Sequence, residues 1–144
     1  MASLSIDEVR EYLSDYAPNN YLIDGEEVTN TYISLCMNLG VDAYNSMTPV
    51  SRYSEGNFPS KQILLWGTCW NIYNGKALLL ARNTMQYSDG GLQVPIEERA
   101  ELYKGIADSF RAQFREAAQA LKIQHNIECG WGSVSSDESL FPAW

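Results

Sequence analysis

The sequence predicts a mostly α protein: a bundle of about four helices over residues 1–125, followed by an extended, non-helical C-terminal arm over residues 126–144. Three observations predict it. Ser5-Ile-Asp-Glu8 and Asp24-Gly-Glu-Glu27 both read as helix starts. Two long stretches, after Pro59 and after Pro95, carry apolar residues at helical spacing. The segment from Ile127 to Trp144 mixes Gly and Ser with isolated large apolar groups and has no helical period. At 144 residues the chain is one domain by size, long enough to bury a core without disulfide or metal. Its 45% hydrophobic and 19% charged residues place it among globular rather than disordered chains.

The first helix is expected from a Ser5 N-cap to about Asp15, with Ile6, Val9, Leu13 and Tyr16 facing inward and Ala17-Pro18 breaking it. The second is expected to start from Asp24, with Glu26 and Glu27 at the positive end of its dipole. Val28, Tyr32, Leu35 and Leu39 form its stripe, with Cys36 and Ala43 beside them, and it stops near Ser46 ahead of Thr48-Pro49. Pro49 to Pro59 is a loop. The third helix, running to about Met85, is apolar on most faces and therefore central. Gly67 and Gly75 within it imply either close helix approach or a kink at Asn74-Gly75. The segment from Arg82 to Gly91 is expected to form a loop or corner, with Ser88-Asp89-Gly90-Gly91 as a turn. The fourth helix starts at Pro95 and ends near Gln124. Tyr103, Ile106, Ala107, Phe110, Phe114, Ala117 and Leu121 make its buried stripe; Glu101, Lys104, Asp108, Arg111, Arg115 and Lys122 lie opposite. Phe58, Trp66, Trp70, Phe110 and Phe114 are the expected core aromatics.

The net charge of −8 is an N-terminal property. Residues 1–48 hold eight acids and one base, Arg10; residues 49–144 hold ten acids and nine bases. An acidic surface repels nucleic acid, and the interspersed bases form no nucleic-acid-binding stripe. Cys36, Cys69 and Cys129 are scattered and odd in number, without CxxC or Cys/His spacing, so neither zinc nor a disulfide framework is expected. The only histidine, His125, suits the dipole at a helix end, and no Ser-His-Asp arrangement can be built around it. No P-loop, GxGxxG, GxSxG or HExxH pattern occurs. The expectation is a non-enzymatic protein with no catalytic residue, metal or cofactor. The first residues have neither the basic nor the apolar stretch of a signal peptide, and no run has the length of a membrane span, so a cytoplasmically made protein without a membrane partner is expected.

The order of elements resembles a known family. A capped acidic helix is followed by a helix ending near Ala43-Tyr44-Asn45, a loop closing in Asn57-Phe58-Pro59, and a central helix reading Leu78-Leu-Leu-Ala-Arg-Asn83. Tyr87-Ser-Asp-Gly-Gly91 and a long closing helix complete it. This arrangement, over roughly residues 5 to 125, resembles the head-to-tail connector (adaptor) and neck proteins of tailed bacteriophages. Arg82, Asn83, Tyr87, Gly90 and Gly91 are its most specific part. The resemblance implies a structural virion protein in the neck, forming a homo-oligomeric ring of about twelve copies. The ring would bind the portal protein above and tail or stopper proteins below, and DNA would pass through without specific binding. Trp131, Leu140, Phe141 and Trp144 would then be contacts to the portal or a neighbour, and Asp7, Glu8 and Glu11 would line the channel. Three other readings fit the residues: another neck or tail-completion protein, an acidic helical binding module that mimics DNA, and, with no supporting constellation, a small hydrolase or transferase.

Overall fold

Ser5 starts the first helix, α1 (Ile6–Leu13), as a complete capping box: Glu8 N–H donates to the Ser5 hydroxyl, and Ser5 N–H donates to the Glu8 carboxylate at 2.9 Å. It ends at Ser14, whose left-handed backbone (φ 53°) turns its N–H back to the Arg10 and Glu11 carbonyls. Three longer helices follow in the computed structural model: α2 (Asn30–Ser46), α3 (Lys61–Tyr87) and α4 (Ile96–Glu138). The structure describes residues 3–20, 25–87 and 96–138, with side chains over 3–20, 25–83 and 99–129. No strand occurs among the described residues, and the mostly α, four-helix expectation holds.

α3 is the central element, packed on α2 along one side and on α4 along another. Ile33, Cys36, Met37, Val41 and Tyr44 of α2 meet Ile63, Leu64 and Ile72 of α3 in one core, with Phe114 and Ala118 of α4 and Phe58 of the connecting loop. Trp66 and Trp70 pack against this core as half-buried groups. Trp70 lies 5.9 Å from the Phe114 ring, with the Arg111 guanidinium 5.6 Å from its centroid. Phe110 is half-buried, stacked on Tyr73 at 5.9 Å. The two glycines of α3 serve close approach. A Cβ at Gly67 would stand 2.9 Å from the Phe114 ring and 3.4 Å from Gly40 of α2. One at Gly75 would stand 1.7 Å from the Tyr32 hydroxyl. These two contacts also fix α2 and α3 as antiparallel neighbours.

Five expectations are corrected. First, α2 starts at Asn30, because the Thr29 hydroxyl accepts from Tyr32 N–H and caps it; Asp24 lies outside the described residues. Residues Glu27 and Val28 instead run as a link held by a carboxylate: the Asp15 side chain accepts from Glu27 N–H at 2.7 Å and Val28 N–H at 2.9 Å. Second, α2 buries Ile33, Met37, Gly40 and Tyr44, while Leu35 (52%) and Leu39 (45%) are exposed. Gly40 lies on that face, against Gly67 and Leu64 of α3. Third, Arg82, Asn83 and Tyr87 belong to α3 rather than to a loop; Gly90 and Gly91 lie outside the described residues. Fourth, α4 does not stop near Gln124. It continues to Glu138, so the extended arm expected over 126–144 is not seen as far as Glu138, and residues 139–144 lie outside the described residues. Fifth, Lys122 is not on the solvent face.

Lys122 is only 3% exposed. Its ammonium donates to the Met47 and Pro49 carbonyls, both at 2.6 Å, and to the Ser51 hydroxyl at 3.2 Å, while lying 4.6 Å from the Tyr44 ring centroid. The long stem lets the amine reach the loop from the edge of the α4 stripe. Burial pushes its pKa below the ordinary lysine value. Asn45 holds the same loop from the α2 side, through bonds with Ser51 and with the backbone of Tyr53. Lys122→Met leaves the Met47 and Pro49 carbonyls without this donor and costs about 1 kcal/mol. Hydrogen exchange checks it: amides of residues 47–53 exchange faster while those of α3 do not.

A buried ion-pair network fixes α1 to the start of α2. The Arg10 guanidinium donates to the Asp15 carboxylate at 3.1 Å, to the Val28 carbonyl at 3.0 Å and to the Asn30 side chain. Arg10 and Asp15 are both buried, and Glu26 approaches Arg10 at 3.2 Å from the exposed side. Asn20 donates to Asp15 at 2.7 Å. Burial by itself raises the Asp15 pKa, but the bonds from Asn20, Glu27 and Val28 and the Arg10 charge outweigh it and hold the carboxyl below its ordinary value. A depressed folded-state pKa means that Asp15 contributes stability above its unfolded pKa of about 3.9, and this is lost as pH falls through the lower folded value. Urea titrations of the wild type and Asp15→Asn at pH 7 and pH 3 check this: the gap in stability narrows at the lower pH.

Candidate interaction surface

Helix lengths place the surface that can meet other molecules. At about 1.5 Å per residue, α2 is about 25 Å long, α3 about 40 Å and α4 about 64 Å. α2 faces Gly75 through Tyr32 in its first turn, so α3 runs on past the start of α2. There Leu78 is 67% exposed and Leu79 40%, and Arg82 is also exposed. Together with Tyr32, Gly75 and Lys76 these residues line an open groove of about 610 Å³. Its other wall is the 27–29 link that Asp15 holds. Lys76 ties that wall to α3 by donating to the Glu27 carbonyl at 3.1 Å. Arg82 has no ion-pair partner among the described residues.

At the opposite end α4 runs past α3. Phe114 sits against Gly67 and Trp70, so α4 passes the start of α3 near Lys122 and continues for about 24 Å to Glu138. Ile123 and Ile127, four residues apart and hence on one face, are both exposed there.

The sequence-predicted residues do not gather at one site. Asp7, Glu8 and Glu11 are exposed on α1, but Glu8 is committed to the capping box and pairs with Lys61 of α3. The Lys61 bond and the Ser5 N–H hold its carboxyl below the ordinary value. Asp7 and Glu11 remain as a solvent-facing pair four residues apart. Arg82 borders the groove, Asn83 is half-buried, and Tyr87 is the last residue of α3. Trp131 lies within α4, its side chain outside those described; Leu140, Phe141 and Trp144 lie outside the described residues. The groove residues Tyr32, Leu78 and Leu79 were not singled out by the sequence as interaction sites, because Leu78-Leu-Leu80 reads as part of an all-round apolar core helix. The signal that points to them is the mismatch in length between α2 and α3.

The buried thiols offer no nucleophile at neutral pH, since burial pushes Cys36 up to about 11 and Cys69 up to about 12. Among the described residues no cluster of His, Cys, Asp or Glu is placed to hold a metal ion, and no helix is long and apolar enough to cross a membrane. No protein family, curated protein or solved structure matches the chain.

Proposed function

We propose that the protein is a structural subunit of a phage-like virion neck, an adaptor that forms a ring between portal and tail and leaves a channel for DNA. One observation carries the reading: α3 runs past the first turn of α2 at one end, exposing Leu78 and Leu79, and α4 runs past the start of α3 at the other, exposing Ile123 and Ile127. Two separated apolar surfaces on opposite ends of one subunit suit a head-to-tail contact, which closes into a ring when the rotation between copies permits. The work is assembly, with no turnover. Asp7 and Glu11, facing solvent, would supply like-charge repulsion towards passing DNA.

Cryo-electron microscopy of the particle that contains this chain tests the reading. Symmetry-related copies in a ring around an open or DNA-filled channel are the expected result. A single copy seated in the cleft of a DNA-handling protein overturns it in favour of an acidic mimic. With the ring in place, Asp7→Lys with Glu11→Lys should slow DNA release at low salt and have a smaller effect at high salt.

A further inference from the structure

We infer that the groove beside Leu78 and Leu79 receives the segment 137–144 of a neighbouring copy. This deepens, and rests on, the proposed ring. The groove has an apolar floor, Tyr32, Leu78 and Leu79, flanked by two cations, Lys76 and Arg82. Its volume of about 610 Å³ accommodates several side chains. The segment Asp137-Glu138-Ser139-Leu140-Phe141-Pro142-Ala143-Trp144 has the matching order: two acids, then three large apolar side chains. Lys76 is already paired with Glu27 at 3.6 Å, so Arg82 is the cation left to meet Asp137 or Glu138.

Geometry decides between a chain's own segment and another's. The groove adjoins the level of Tyr103 on α4, because Tyr73, five residues before Leu78 on α3, stacks on Tyr103 at 5.7 Å. From Tyr103 to Glu138, α4 runs away from the groove for about 52 Å. Residues 139–144, fully extended, reach back at most about 21 Å. A chain therefore cannot fill its own groove, whereas a neighbour placed head to tail can. Such a contact is heterologous, the kind that builds rings. Leu140, Phe141 and Trp144 act in it as anchors in a groove, and the acids fix direction.

The test is a fluorescein-labelled peptide of residues 137–144 titrated with the full chain and followed by anisotropy. Saturable binding is expected. Leu78→Asp and Arg82→Glu in the chain, or alanine at Phe141 and Trp144 in the peptide, each weaken it by about tenfold or more. Both groove side chains are exposed, so circular dichroism should show unchanged helix content in the two protein variants. A peptide that does not bind at about 1 mM, or binds the groove variants as well as the wild type, overturns the proposal. The particle image separates the two ideas. A ring whose copies leave this groove empty refutes the docking and keeps the adaptor; absence of any ring refutes the adaptor whatever the peptide does.

Discussion

Asp15→Ala should destabilise the protein by about 3–5 kcal/mol, the cost of removing one member of a buried ion pair together with its hydrogen bonds. The carboxylate serves four donors at once: Arg10, Asn20 and the N–H groups of Glu27 and Val28. Alanine leaves the guanidinium with the exposed Glu26 as its acidic partner and strands two backbone donors in a region that water reaches poorly. Asp15→Asn keeps an acceptor of the same shape and loses only the charge, so it should cost less than alanine. The double variant Arg10→Met, Asp15→Leu should recover part of the loss, because the buried guanidinium that lost Asp15 is then removed as well. Chemical denaturation of the four proteins checks the order. Equal stability of Asp15→Ala and wild type would mean that the network contributes nothing to the fold.

The second large effect is expected at the α3/α4 crossing. Phe114→Ala removes a fully buried ring that fills the space over Gly67 and should cost about 3–5 kcal/mol. Gly67→Leu attacks the same contact from the other side. Its first carbon already falls within 3 Å of that ring and within contact of Gly40, so α3 must move away from α2 or α4. Such overpacking costs about 1–3 kcal/mol beyond the roughly 1 kcal/mol that replacing a helical glycine returns. Combining Gly67→Leu with Phe114→Ala should cost less than the sum, since the new side chain occupies the vacated volume. Thermal unfolding followed by circular dichroism reads all three. Strict additivity would show that Gly67 and Phe114 do not share a space.

These sites show which parts of the fold were legible in the sequence. The Ser5 cap, the centrality of α3 and the Tyr103–Leu121 stripe of α4 follow from local chemistry and period, and the structure contains them. The start of α2 was not legible. Asp24 and Thr29 are both good caps, and the choice depends on Asp15, which captures Glu27 and Val28 from twelve and thirteen residues away. The buried face of α2 was equally hidden. Its apolar residues surround the helix, so period alone cannot rank Leu35 against Met37; the face that α3 covers settles it. Gly130, Gly132 and the serines of 133–136 disguised the continuation of α4, because glycine and serine are weak helix formers whose propensity does not forbid a helix. Of the candidate surface, Arg82 was visible as a motif residue, while the groove beside it depends on where a neighbouring helix begins.

The overhang of α4 has a mechanical consequence. Past Lys122 the helix is a cantilever about 24 Å long, clamped at its root by the Met47 and Pro49 carbonyls. A tilt of about 10° at the clamp carries Glu138 sideways by about 4 Å over that length. The reverse also holds: a load applied near Glu138 arrives as torque at Lys122, and from there at the loop between α2 and α3. The stretch up to Glu138 and the loop at its root are thus one lever, in which a displacement of one turns the other.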